Sequence, residues 1–340
     1  MEVTAQTGLS HTNMKKLAIV MLSGGLDSSL AARIIQLQGF DVIGLNIRLP
    51  FYNNVRSAIR AARDLGIPLA LREVGEDYLQ VLRYPKHGYG RGANPCLDCR
   101  AYMLRMAADL MQELGAMFIA TGEVVGQRPM SQKRRDLGIV AHEAGLQGLI
   151  LRPLCAKLLP PTIPEQEGWI DREKLYDFSG RSRKEIKALA KQLGLRHTPD
   201  AAGGCKLTEA NFAPKVFDLL DHRDDATLWD CELLTVGRHF RLDERTKVVI
   251  GRNEEQNATL SRLYQRCPRQ DCVFMIPGNF LGPHAIVVGP ADHSTLTKVA
   301  QLVIRYVHRP LPDPVEFEVR SGDGTCRLSW EKQSLVAVTT

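Results

Sequence analysis

KLAIVMLSGGLDSSLAARII, residues 16–35, reads as a buried strand, a glycine-hinged turn and the opening of a helix. The apolar run Leu17 to Leu22 is short and β-branched in the middle, as a parallel strand covered on both faces is. Ser23-Gly24-Gly25 follows at once, and Asp27-Ser28-Ser29 starts a helix that carries Leu30, Ala31, Ile34 and Ile35. Paired glycines let the backbone turn sharply and bring N–H groups close to a ligand with no Cβ in the way. The helix start adds unpaired N–H groups and the positive end of its dipole, and Ser28 and Ser29 add hydroxyls. The product is a nest for an anion with many oxygens. It lacks the lysine of the G-x-x-x-x-G-K-[ST] phosphate loop.

Working outward, Asp41 to Leu49 reads as a second strand, Asn54 to Leu65 as a helix stopped by Gly66, and Pro68 to Val74 as a third strand. Met117 to Ala120 is another short buried strand. Strands alternating with helices at this spacing predict a parallel α/β sheet, in which ligands sit at the carboxyl ends of strands. Thr121 and Gly122 open a polar segment, 121–132, at such an end. The basic run Lys133-Arg134-Arg135 reads as solvated surface beside that site. Residues 152–168, with four prolines, read as an irregular connection. A helix over 181–195 has an apolar stripe at 186, 189, 190 and 193 and a basic opposite face. From Cys231 the texture changes to short strands at Leu233–Val236, His239–Leu242, Lys247–Ile250, Val273–Ile276, His284–Val288 and Val315–Val319, with one helix, Ser294–Val307. The expected organisation is a loose tail (1–14), an α/β domain (15–221) and a smaller α+β domain (231–340), joined through the polar stretch 222–227.

Composition sets the bounds. The chain has 340 residues, 44% hydrophobic and 24% charged, with a net charge of +6. These values fit a soluble globular protein with no membrane span, and the mild basicity permits a nucleic-acid partner. The N-terminal residues have no apolar signal core, so a cytoplasmic location is expected. In that compartment the eight cysteines do chemistry or bind metal rather than form disulfides. Cys96 and Cys99 form a C-x-x-C pair at the start of a helix whose apolar face runs from Tyr102 to Leu114, where the dipole favours thiolates. Cys205 sits far downstream in a glycine turn, Ala201-Ala202-Gly203-Gly204-Cys205. Three thiols leave several readings open: an incomplete zinc site, a redox dithiol, a [4Fe–4S] cluster with one iron lacking a protein ligand, or, for Cys205, a small residue in a turn.

S-G-G-x-D-S at Ser23 to Ser28 resembles the PP-loop of the ATP pyrophosphatase family, whose fold is of the adenine nucleotide alpha hydrolase type. With N-P-C-x-x-C at 94–99, A-T-G at 120–122 and G-G-C at 203–205, residues 15–215 resemble the tRNA-specific 2-thiouridylases and, more distantly, the tRNA 4-thiouridine synthases. The resemblance implies an ATP-dependent tRNA sulfurtransferase that adenylates a uridine carbonyl oxygen and replaces it with sulfur. It implies that Ser23, Gly24, Gly25, Asp27, Ser28 and Ser29, with Thr121 and Gly122, hold ATP and Mg²⁺, with adenine near Leu45 to Ile47. Cys96 and Cys205 match the positions that deliver or relay sulfur. Cys96, Cys99 and Cys205 are the expected ligands of a [4Fe–4S] cluster, the alternative being a persulfide relay fed by a separate sulfur donor. Three places depart from that family: Arg100 stands where an asparagine is usual, the segment from Glu123 follows A-T-G where H-Y-x is usual, and Lys206-Leu207 follows Gly204-Cys205 where an aromatic pattern is expected. G-R-N-x-x-Q-N at 251–257, with Gly282-Pro283-His284, resembles the RNA-binding domain of NFACT proteins, which implies a hold on the tRNA body. Two readings of other classes stay open: a PP-loop synthase acting on a small molecule, and a non-catalytic RNA-binding protein with a metal-stabilised C-x-x-C.

Overall fold

In the computed structural model, which describes residues 16–195 and 204–336, the chain divides into two compact units, Met1–Thr208 and Glu209–Thr340. The tail 1–14 and residues 201–203 of the glycine turn lie outside the described residues.

The first unit runs β1 (Leu17–Met21), α1 (Leu26–Leu37), β2 (Asp41–Arg48), α2 (Val55–Leu65), β3 (Leu69–Glu73), α3 (Tyr78–Arg83), α4 (Cys96–Leu114), β4 (Phe118–Ala120), α5 (Arg134–Glu143), β5 (Ile150–Leu151), α6 (Ile163–Gln166) and α7 (Lys184–Gln192). Its five strands are all parallel, in the order β3-β2-β1-β4-β5. The chain order reverses across β1, so a crevice opens beyond the carboxyl end of that strand. Helices cover β1 on both faces: Leu17, Ala18, Ile19 and Val20 are at most 3% exposed. Leu26, Leu30 and Ile34 of α1 pack with Val20, Val42 and Phe118 in one core. Each such aliphatic side chain contributes about 1.5–3 kcal/mol by its burial, which fixes where α1 begins relative to β1.

The second unit runs α8 (Ala213–His222), α9 (Leu228–Leu234), β6 (Arg238–Arg241), β7 (Lys247–Ile250), α10 (Glu254–Gln265), β8 (Cys272–Pro277), β9 (Ala285–Val288), α11 (His293–Ile304), β10 (Val315–Ser321), β11 (Gly324–Trp330) and α12 (Lys332–Val336). A six-stranded antiparallel sheet, β11-β10-β8-β9-β7-β6, carries α11 on one face and α9 with α10 on the other. The α/β then α+β order expected from the sequence is the order found. Two details differ. Residues 233–236 are not a strand: Thr227 and Asp230 form a capping box that starts α9 instead. The boundary falls at 208/209, not in 222–227, because Asp218 of α8 is held by Arg241 and Lys247 of the second sheet. The basic run 133–135 is exposed at the start of α5.

The second unit also carries an acid-sensitive element. His239 Nε2 donates to the Val236 carbonyl at 2.8 Å. Burial, helped by Lys215 and Lys247, pushes its pKa down to about 3. The folded state therefore refuses a proton that the unfolded chain accepts below about 6.5. Stability should fall as pH drops from about 6.5 towards 3, by up to ~1.4 kcal/mol per pH unit. His239→Gln keeps an N–H donor without the titration. It should flatten that slope in urea midpoints measured at pH 7 and pH 4.5.

Candidate functional site

The turn after β1 is built as an anion nest. Gly24 takes φ +76°, and a Cβ there would lie 2.2 Å from the Ser57 carbonyl carbon, inside any van der Waals contact. Gly25 caps α1 with extended backbone, and its carbonyl accepts from the Ser28 and Ser29 hydroxyls at 3.0 Å each. Ser23 Oγ lies 3.1 Å from Ser28 Oγ. Two asparagines that the sequence reading did not single out brace the turn. Asn54 Nδ2 donates to the Ser23 carbonyl and buried Asn46 Nδ2 to the Leu22 carbonyl, both at 2.8 Å. Asn46 sits within the stretch expected to meet adenine, and its buried Oδ1 has no hydrogen-bond partner.

Asp27 stands in the first turn of α1. Arg183 spans both carboxylate oxygens at 3.1 and 3.2 Å, and Gln127 Nε2 donates to Oδ2 at 3.1 Å. Arg183 was expected on an outward basic face; it is instead turned inward to this carboxylate. Its guanidinium supplies a positive charge at the mouth of the nest, so the donor set there fits a cation, and Asp27 is the residue that would hold Mg²⁺.

Gly122 packs directly on this helix start: a Cβ would lie 2.5 Å from Asp27 C and Ser28 N. Thr121, expected to face the nucleotide, turns its hydroxyl to Glu123 Oε2 at 3.1 Å. Glu123 is buried between Arg100 and Arg152, at 2.5 and 2.9 Å. Burial pushes its pKa up, but the two guanidiniums outweigh that and hold it below the ordinary value. Two of the departures from the family pattern, Arg100 and Glu123, are thus partners. Glu123→Gln leaves two guanidiniums without their carboxylate. It should cost about 3–5 kcal/mol of stability, read as a lower denaturant midpoint for the first unit.

The cysteines meet on the same side. Cys96 and Cys99 occupy the first turn of α4. Asn94 Nδ2 donates to Cys96 Sγ at 3.1 Å and the Tyr78 hydroxyl to Cys99 Sγ at 3.2 Å. The Cys205 segment is pinned to the approach loop: a Cβ on Gly92 would lie 2.5 Å from the Leu207 carbonyl oxygen, and Lys206 N donates to Phe51 O at 3.3 Å. Burial pushes the Cys99 thiol up to about 12, and Cys205 and Cys96 lie near enough to push the same way. The sequence placed all three together, and the structure brings them together. It does not make them a ligand set. Among the described residues no group of three or more His, Cys, Asp or Glu side chains is arranged to hold a metal ion. Cys99 is half-buried, as Cys96 and Cys205 are, and the sulfurs of Cys96 and Cys99 accept hydrogen bonds from Asn94 and Tyr78. The expected cluster ligation by Cys96, Cys99 and Cys205 is not formed by these side chains as they stand, and no step below runs through a cluster.

Residues 16–163 match the family described as tRNA methyl transferase HUP domain. The PP-loop resemblance holds. Residues 237–334 match the NFACT protein RNA binding domain. Among curated relatives of the HUP-domain unit, a tRNA-specific 2-thiouridylase MnmA from Xanthobacter autotrophicus is 29% identical over 218 residues, covering 58% of this chain and 53% of the relative. One from Caldanaerobacter subterraneus is 29% identical, covering 52% and 51%. A solved 4-thiouridine synthetase–RNA complex with bound ATP aligns at 22% identity and TM-score 0.38, covering 64% of this chain and 52% of that one. The chain spans about half the length of the curated relatives it matches.

In the NFACT-type unit, the G-R-N-x-x-Q-N residues spend their amides on the frame. Asn253 Oδ1 caps α10 by accepting from Gln256 N, Gln256 Oε1 accepts from Arg252 N, and Asn257 joins Gly282 O to His284 N. A Cβ on Gly251 would meet Asn257 Oδ1 at 2.1 Å, so a side chain there would push the Asn257 amide off its hydrogen bonds. The motif shapes a turn and leaves the Arg252 side chain exposed at its tip. No helix among the described residues is long and apolar enough to cross a membrane.

Proposed function

We propose that the chain is an ATP-dependent tRNA sulfurtransferase that adenylates a uridine carbonyl oxygen and replaces it with sulfur. The observation that carries this reading is the gathering of Cys96, Cys99 and Cys205 at the edge of the sheet that also bears the anion nest. The curated relatives named as tRNA-specific 2-thiouridylases support it. A small-molecule PP-loop synthase would leave both the thiols and the NFACT-type unit without a task.

The order of chemistry follows from the groups present. A pyrimidine carbonyl oxygen is a poor leaving group until it is adenylated. The nest formed by Ser23, Gly24, Gly25, Ser28 and Ser29 would hold the pyrophosphate portion of ATP through N–H and hydroxyl donors. Mg²⁺, held at Asp27, would supply charge neutralisation of the phosphates. In the sulfur step, one of Cys96 and Cys205 carries a persulfide received from a separate sulfur donor. Its terminal sulfur bonds to the activated base carbon, and the C–O bond breaks with its electron pair leaving on AMP. The other cysteine, as thiolate, attacks the inner sulfur. The S–S bond breaks towards the base, giving the thiocarbonyl and a Cys96–Cys205 disulfide that an external thiol reductant reopens.

Nucleoside mass spectrometry of tRNA from cells lacking the protein tests this directly. Loss of a thiouridine is expected; an unchanged nucleoside profile would sink it. Binding of tRNA should rest partly on the exposed cations of α7 and its approach, Arg181, Lys184, Lys187 and Lys191, and partly on the second unit. Reversing Lys187 and Lys191 to glutamate should lower tRNA affinity about tenfold or more and flatten its dependence on salt. Removing residues from 209 onward should weaken tRNA binding far more than ATP binding. Equal tRNA affinity in filter binding across 50–200 mM salt would refute both assignments.

A further inference from the structure

The Arg100–Glu123–Arg152 cluster holds two guanidiniums and one carboxylate, a net charge of +1 at a partly open site. Glu123 and Arg152 side chains are 5% and 7% exposed and Arg100 is 25% exposed. Arg152 spends itself inside the fold, on Glu123 and on the Leu137 carbonyl. Arg100 is different. Its Nε donates to Ser131 Oγ at 3.1 Å and one terminal nitrogen to Glu123, while the other terminal nitrogen has no acceptor among the described residues. It follows Cys99 directly in the chain. Through Glu123 it is tied to Gly122, which packs on the first turn of the nest helix. The guanidinium is therefore linked to both places, thiols and nest, pre-oriented by two hydrogen bonds, with one positive charge to spare.

We propose that Arg100 is the residue that holds the phosphate joining AMP to the activated base. This rests on the sulfurtransferase reading and says which side chain serves its second step. The phosphate between adenosine and the base oxygen carries one negative charge, the amount the cluster lacks. As the C–O bond to the base breaks, its electron pair passes to AMP and the charge on that phosphate grows. A fixed guanidinium then binds the departing group more strongly than the ground state, which accelerates the step rather than merely tightening binding.

The test uses the full chain with ATP, tRNA and a persulfide donor, comparing Arg100→Gln and Arg100→Lys with the unaltered protein. Arg100→Gln should weaken AMP in equilibrium dialysis by about tenfold and slow thionucleoside formation by about 100-fold. Label from α-phosphate-labelled ATP should then accumulate on tRNA, and tRNA affinity should not change. Arg100→Lys keeps the charge and should recover most of the AMP affinity, which a merely structural loss would not allow. Unaltered AMP affinity and no labelled intermediate in Arg100→Gln would overturn the assignment while leaving the sulfurtransferase reading in place. An unaltered protein that releases no pyrophosphate with tRNA would remove both.

Discussion

Asp27→Ala should abolish formation of AMP and pyrophosphate, by about 10³-fold or more, while ATP still binds. The scale is that of losing a group aimed at charge which develops in the transition state. The carboxylate is the one acid in the first turn of α1, and a negative charge at the mouth of a phosphate nest has a function only if a cation joins it to the phosphates. In the structure the cation paired with this carboxylate is Arg183. Removing Asp27 leaves the guanidinium beside the nest with no carboxylate, which adds positive charge where phosphate docks. ATP affinity should therefore hold or rise as turnover vanishes, a split that misfolding cannot produce. Both quantities are read on one preparation, by nucleotide binding and by pyrophosphate release. Undiminished ATP cleavage in the variant would remove the PP-loop reading altogether.

The core of this site was legible because its signals are local. A β-branched strand, two glycines, an acid and two serines lie within a dozen residues, and each has one physical use there. The same holds for Cys96 and Cys99, placed by a helix start. What was not legible depends on partners far apart in the chain. Arg183 reads as one more cation on a basic helix face; only folding brings it to Asp27. Asn46 and Asn54 brace the turn from the neighbouring strand and helix, with nothing in their surroundings to announce it. Arg100 and Glu123 each looked like an isolated departure, and their pairing shows one compensated change. Residues 233–236 show a different limit. A four-residue apolar run suits a strand or a helix equally, and the deciding signal was the Thr227–Asp230 capping box just upstream. The two-residue strand β5 is too short for any pattern to reveal.

The three thiols should separate in their effects. Cys96→Ser and Cys205→Ser should abolish thionucleoside formation, by about 10³-fold or more since each removes a reacting sulfur, yet leave tRNA adenylation working. Cys99→Ser should be the mildest. Its thiol is pushed up to about 12 chiefly by burial and accepts a hydrogen bond from Tyr78. At neutral pH it is almost wholly protonated, and the thiol form is a poor nucleophile. Serine is close to it in size and can keep the Tyr78 hydrogen bond. A cluster predicts a different pattern, since thiolates bound to iron are needed together: each of the three changes would then lose iron and thiolation in step. Protein purified without oxygen, assayed for iron, for labelled adenylated tRNA and for thiouridine, reads all three quantities on every variant. Iron lost with thiolation in Cys99→Ser would overturn the relay in favour of the cluster. Thiolation largely retained in Cys99→Ser, and absent in the other two, is the expected result, because only Cys96 and Cys205 would then pass sulfur.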